Sequence, residues 1–406
     1  MIPANPFLRS PPRPSVFVAH GDGPYQNARA ALAHVDLVAA REKQVLLKPN
    51  IGRLALPGTG VNTHPQVVAA AIDVFREAGA EVAVGESPIV GVDVLEAFQQ
   101  SGVTAVAQAR HCPLIDMDRR DCVDLDVPTG HVISRLKVCP EALEFDFVVS
   151  IPVMKTHMHT GATLGVKNMK GCLWRKSKVQ LHMLPPLEGH DEKPINVAIA
   201  DMSSVLRPHL TLIDGTVGME GLGPSAGQPK PLDVVVAGAD PFAADAVACR
   251  LMGLEAEQVP HLCIGAARQY GVIDLDRIAV TPENWQDWIS PFLRPPENLA
   301  IQFPNVTLWD NRSCSACQST LLLFLTQHRQ RLFDYFGTES PINVAIGKGH
   351  AELPEQTLCL GNCTAKHKHN GIFVPGCPPV GSQILAALDQ LKPLPEGKSN
   401  TEPEDR

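Results

Sequence analysis

The sequence predicts an α/β protein: a mostly parallel sheet with flanking helices, then a smaller C-terminal α/β unit carrying a cysteine cluster. Three observations lead there. Continuous apolar runs recur along the chain, amphipathic helical stretches separate several of them, and five of the eleven cysteines fall between 314 and 377. Strands buried on both faces read as unbroken apolar runs, and their alternation with helices marks parallel strand–helix–strand units.

In chain order the runs are SVFVA (15–19), QVLLKPN (44–50), EVAVGES (81–87), FDFVVSIP (145–152), LTLIDGT (210–216) and LDVVVAG (232–238). Residues 64–79 place apolar side chains at helical spacing and close on Gly79, a glycine C-cap. Residues 241–254 open with Pro241 after Asp240, the order expected of an N-cap and first turn. Residues 1–14 read as a flexible N-terminus and 15–281 as the main α/β domain. The proline-rich stretch 282–304 has no clear period and reads as a linker. Alternation resumes over 305–393: NVTLWD (305–310), a helix over 316–336, INVAIG (342–347), GIFVPG (371–376) and a helix over 382–391. The polar tail 394–406 has too little apolar surface to order and reads as disordered.

A chain of 406 residues holds two domains and a core that needs no disulfide support. The formal net charge of -8 argues against nucleic acid as a partner, because phosphate binding wants a basic face. No apolar run approaches the roughly 18 to 20 residues that span a bilayer, and the N-terminus lacks the apolar core of a signal peptide. These features predict a cytoplasmic protein without a membrane partner.

Cys112, Cys122, Cys139, Cys172, Cys249 and Cys263 are scattered and read as small hydrophobes of a reduced core. The others form three motifs just after strands: CSAC (Cys314, Cys317), CLGNC (Cys359, Cys363) and PGCPP (Cys377). Thiolates suit zinc or an iron–sulfur cluster. A zinc ribbon pairs two Cys-x-x-Cys knuckles, and this chain has one; a 4Fe-4S cluster accepts ligands from separate loops. The expected ligands are Cys314, Cys317, Cys363 and Cys377, with Cys359 as the alternative to Cys363 and zinc as the alternative metal. The Gly-Cys-Pro-Pro loop resembles the cluster loop in the small subunits of nickel–iron hydrogenases and of the respiratory NADH dehydrogenase, which supports a cluster and imports no function.

The stretch IPVMKTHMHTGATLGVKNMKGCLW (151–174) concentrates cations and imidazoles. Ligands of parallel sheets gather at the carboxyl ends of strands. We therefore expect Lys155, His157 and Lys167 to do catalytic work there. Lys48, Asn50, Thr160, Thr163, Asn168, Lys170, Asp214 and Glu220 are expected to bind a small anionic substrate. On a strand, His157 and His159 would face one way and share a metal. Asp201, Asp214 and Asp240 would hold a divalent metal in the large domain, or else Asp240 caps the helix at 241 and Asp214 makes the turn at Gly215. No Gly-x-Gly-x-x-Gly follows an early strand, so a nicotinamide cofactor is not supported.

LLKPNIG (46–52), NTHP (62–65), the Lys155-to-Gly171 pattern, DGTVGMEGLGP (214–224) and AGADPFAADAVACRLMG (237–253) resemble the signature of domain-of-unknown-function family 362 over most of 44–280. Members are often described as iron–sulfur proteins, many with a ferredoxin-like segment, so the resemblance implies a cluster. This chain departs from that segment, lacking three closely spaced cysteines before a Cys-Pro. The resulting expectation is a 4Fe-4S redox enzyme or electron-transfer component, with a redox partner protein and an anion or metal pocket in the large domain. Two alternatives stay open. One is a non-redox metal-dependent enzyme of racemase or isomerase type, since the lysine and histidine elements are loosely similar to the nickel-pincer lactate racemase site. The other is a cluster scaffold or metallochaperone.

Overall fold

The computed structural model describes residues 5–8, 13–185, 187, 192–295, 303–337 and 341–390. The chain divides into two units, Met1–Glu297 and Asn298–Arg406. The tail 394–406 lies outside the described residues.

The first unit contains β1 (Ser15–His20), β2 (Gln44–Pro49), β3 (Glu81–Glu86), β4 (Leu114–Asp116), β5 (Val123–Asp126), β6 (Arg135–Val138), β7 (Phe147–Ile151), β8 (Val153–His157), β9 (Gly161–Thr163), β10 (Leu210–Glu220), β11 (Gln228–Gly238) and β12 (Ala279–Thr281). Ten of these form one sheet with the order β12-β1-β11-β10-β7-β2-β3-β4; β8 pairs with β10 and β9, and β5 and β6 make a separate hairpin. Strands β10, β7, β2, β3 and β4 run parallel, so their carboxyl ends share one edge. Strand β11 is antiparallel to both β10 and β1. The short connection over 221–227 makes the reversal, because a parallel return needs a long crossover.

Helices cover both faces. The helix Pro65–Glu77 starts at His64, whose ring accepts from the Gln66 amide at 3.2 Å, and ends before Gly79 at φ +86°. The helix Pro241–Leu251 is capped by Asp240, which accepts from the amides of Phe242 (2.9 Å) and Ala243 (3.3 Å). One apolar core lies on each side of the sheet: Leu46, Val148 and Ile213 face one, and Val45, Leu47 and Val149 the other.

Two expectations about segments outside the regular elements need correction. Within 1–14, residues 5–8 are not loose: the Asn5 amide donates to the carbonyls of His209 (2.7 Å) and Ala239 (2.9 Å), and Phe7 is buried edge-on to Phe147. Within 282–304, the described part through 295 belongs to the first unit rather than to a linker. Trp285 and Phe292 are buried in its core, and the amides of Ser290 and Phe292 donate to Leu251 and Met252 at 2.9 Å. Prolines and tryptophans mask periodicity here because the segment packs through single anchors.

The second unit is a four-stranded sheet in sequential parallel order: β13 (Val306–Asp310), β14 (Ile342–Ile346), β15 (Thr357–Leu360) and β16 (Gly371–Val374). The helices Ser315–Phe336 and Gly381–Asp389 contribute Leu321, Phe324, Leu325, Ile384 and Leu388 to one core with Val344, Leu358 and Leu360.

Candidate functional site

Two groups of chemistry-bearing side chains stand out, one in each unit.

In the first unit, Pro152 separates β7 from β8, and β8 continues as a short strand paired with β10 (Val153 with Asp214, Lys155 with Met219). The Lys-Thr-His motif therefore lies on a strand rather than a loop. A tight turn leads into β9, placing Thr163 directly opposite Lys155. His157 and His159 do not act as a strand pair: the His159 amide donates to His157 Nδ1 at 3.1 Å, so that nitrogen is a backbone clip.

Lys155, 4% exposed, donates to the Val61 carbonyl at 2.6 Å. Lys167, 8% exposed, makes no hydrogen bond or ion pair with the described residues. Partly buried Lys170 contacts His182 Nε2 through its ammonium. The charge of Lys167 bears on Lys155, His157, Lys170, His182 and His261, lowering each of them further. Burial holds Lys155 and Lys167 down at about 7 and pushes Lys170 and His182 well below their usual ranges. Neither ring nitrogen of buried His261 completes a hydrogen bond, although the nearby Thr160 backbone opposes the fall of its pKa to about 3. The Thr163 hydroxyl is likewise buried and unpartnered.

Other expected substrate ligands are committed elsewhere. Lys48, 1% exposed, is paired with Glu86 at 2.9 Å and donates to Asn168 Oδ1 at 3.2 Å. Asn168 donates to the Lys48 carbonyl (3.1 Å) and to Ser150 Oγ (3.0 Å). A β-carbon on Gly171 would lie 2.4 Å from Lys48 Nζ, so any side chain there would displace this pair. Asn50 donates weakly to Asn168 at 3.4 Å, and its Oδ1 is buried without a partner. Thr160 Oγ1 donates to the Ala162 carbonyl at 3.3 Å.

The acids do not gather round a cation. Asp214 accepts from the amides of His64 (2.7 Å) and Thr216 (2.9 Å), and Glu220 from that of Leu293 (2.9 Å). Asp201 accepts from the amides of His131, Val132 and Ile133 and from Arg268, and Asp240 is a helix cap. For Asp214 and Asp240 the turn and cap readings hold, because each carboxylate is already bound by backbone donors. Among the described residues, no three His, Cys, Asp or Glu side chains converge on one ion. Sequence reasoning missed His182 and His261, which lie in segments with no local signal.

In the second unit, Cys314 precedes the helix Ser315–Phe336, and Cys317 lies in its first turn. Backbone bonds stitch the other two loops together: the Gly361 amide to the Val374 carbonyl and the Asn362 amide to the Gly376 carbonyl, both 2.9 Å. A β-carbon on Gly361 would sit 3.5 Å from Cys317 Sγ, so this loop runs directly over the first helical turn. Cys317 consequently senses Cys314, Cys363 and Cys377. A hydrogen bond from Cys317, then the amides at the helix start, lower Cys314 to about 6, while the same bond raises Cys317. Cys359 stands apart. It alternates with Leu358 and Leu360 along β15, packs with Ala345 and Leu353 on the opposite face, and lies 3.6 Å from the His367 carbonyl.

The first unit is thus an α/β domain with a cationic centre at the carboxyl edge of its parallel strands. Residues 45–250, half of the chain, match the family described as Domain of unknown function (DUF362), and the chain belongs to that family. Over 220 residues it is 31% identical to Thylakoid-associated protein sll1697 of Synechocystis sp., a match covering 54% of this chain and 66% of that protein, just under two thirds. The lactate racemase apoprotein of Thermoanaerobacterium thermosaccharolyticum overlaps it at 14% identity with a TM-score of 0.38, over 59% of each chain. A structural-genomics protein of Thermotoga maritima overlaps at 16% identity with a TM-score of 0.36, over 59% of this chain and 60% of its own. Overlaps this partial carry no functional weight. No helix among the described residues is long and apolar enough to cross a membrane.

Proposed function

We propose that the second unit binds a 4Fe-4S cluster through Cys314, Cys317, Cys363 and Cys377, and that the chain is a redox enzyme or electron-transfer component. One observation carries this reading: three cysteine-bearing loops, each following a parallel strand, adjoin, with Gly361 beside Cys317 and the Asn362 amide bonded to the Gly376 carbonyl, while among the described residues the thiols themselves do not gather on a single ion. The donor set fits the group. Four thiols are the ligand complement of such a cluster, and their approach from separate loops suits a polynuclear centre better than one ion. When bound, the cluster would supply one-electron transfer. The chain's own part is to hold the thiolates: the helix start favours the anionic form of Cys314, and Gly361 keeps the loop beside Cys317 free of a side chain. A reducing compartment such as the cytoplasm, where thiols persist, is the setting we assign.

The test is anaerobic purification and reconstitution with iron and sulfide. We expect a brown protein absorbing at about 400 nm, with stoichiometric iron and acid-labile sulfide. Cys317→Ala and Cys377→Ala should lose the chromophore, whereas Cys249→Ala and Cys359→Ala should keep it. A colourless protein holding zinc without sulfide would sink the reading, as would bleaching in the Cys359 variant.

A further inference from the structure

The first unit treats its buried lysines in two ways. Lys48 is paired with Glu86 at 2.9 Å, and Lys178 lies 3.6 Å from Asp118. Among the described residues, Lys155, Lys167 and Lys170 have no carboxylate partner: their contacts are a carbonyl, none, and an imidazole. A buried cation without a counter-charge is destabilising unless it gives up its proton or gains an anion. These three ammonium groups meet no carboxylate among the described residues, and beside them the Thr163 hydroxyl and the His261 ring are buried without a hydrogen-bond partner.

The geometry points to an oxyanion site built from Lys155 and Thr163, opposed on β8 and β9, and from Lys167 and Lys170, three residues apart, with His182 against Lys170 and His261 nearby, that takes a compact dianionic ligand. Lysines act on such a group as point charges from several directions, whereas a single carboxylate would leave part of the cationic set uncompensated. Strand pairing supports a shared target, since Lys155 and Thr163 are directly opposed on β8 and β9 and project to the same face. His182 and His261 arrive from distant segments. The inference concerns the first unit alone and stands whether or not the second unit binds a cluster.

Binding should take up protons. Lys167 faces Lys155, Lys170, His157, His182 and His261; His159 acts on His157 and His182, and Lys155 also faces Arg53, Lys48 and Glu86. Only Glu86 among these is acidic. An arriving dianion therefore favours protonated Lys155 and Lys167, each held at about 7 in the protein alone.

Calorimetric titration of the full chain with inorganic phosphate, oxalate and acetate tests this. Phosphate or oxalate should saturate the protein, and acetate should bind at least about tenfold more weakly; the preferred dianion separates a phosphoryl ligand from a dicarboxylate. Between about pH 7 and pH 9 the dissociation constant should rise about tenfold per pH unit for each proton taken up. Lys167→Met, which keeps the stem and removes the charge, should lose at least about tenfold in affinity yet melt at a higher temperature than the parent without anion. The proposal is overturned if neither dianion saturates at millimolar concentration or if acetate binds equally well. It is equally overturned if Lys167→Met retains affinity or melts lower.

Discussion

The Lys48–Glu86 pair offers a sharp test of how the site edge is held. Glu86 is 2% exposed, and both of its oxygens are fully used. Oε1 accepts from Lys48 and from the Ser87 amide at 2.9 Å; Oε2 accepts from Lys48 at 3.0 Å and the Ile51 amide at 2.9 Å. Glu86→Gln keeps the shape and replaces one acceptor by an NH2 group. Either rotamer aims that group at a donor, and Lys48 loses its counter-charge. Breaking a buried pair on one side costs about 3 to 5 kcal/mol. The unit spans Met1–Glu297, so at about 2.1 cal/mol/K per residue its unfolding entropy is about 0.6 kcal/mol/K. The melting midpoint should therefore fall by about 5 to 8 °C. The double variant Lys48→Met/Glu86→Leu, which removes both charges, should recover at least half of that loss. Calorimetric melting of the three proteins decides the matter. A fall below about 2 °C in the single variant, or no recovery in the double, refutes the view that charge burial dominates here.

Two further outcomes are expected. Asp201→Ala should cost about 3 to 5 kcal/mol, because it strands Arg268 and three amides; urea unfolding gives the loss, and proteolysis should first cut near 131–133. The second concerns pH. Lys155 and Lys167 titrate at about 7 in the fold against 10.5 unfolded, so the unfolded chain binds more protons between those values. Stability without anion should rise with pH across that window, and Lys167→Met should have a shallower slope between about pH 7.5 and pH 9.5 in urea midpoints. Equal slopes would show that Lys167 keeps its proton throughout.

Much of the fold was legible because its central strands are buried on both faces. Runs such as LLKP in β2 and VVSI in β7 have no alternating polar positions to confuse with surface strands. Edge pieces were harder: β4 is three residues long, and β5 is mostly exposed, so neither offers an apolar run. The reversal at β11 was hidden because a strand's direction leaves no mark in its composition. The proposed thiol set was picked out because Cys314, Cys363 and Cys377 fall just after strands, whereas Cys359 lies within β15. The cationic centre was only half readable. Lys155, His157, Lys167 and Lys170 are neighbours in sequence, whereas His182 and His261 reach it through tertiary packing alone. Conversely, Lys48, Asn168 and Asp214 carry the right chemistry for ligand binding but spend it on the frame.

The interruption at Pro152 has a consequence for where the chemistry of the domain lies. Strand β7 is wedged between β10 and β2, and its residues are dictated by neighbours on both flanks. Strand β8, one residue later, is flanked by β10 and its own hairpin partner and is buried along its whole length, yet it carries Lys155 and His157. The break works as a branch point. The eight strands in line are thereby continuous without β8 and β9, which branch from β10 as a hairpin and bring Lys155 and Thr163 face to face beyond the end of β7.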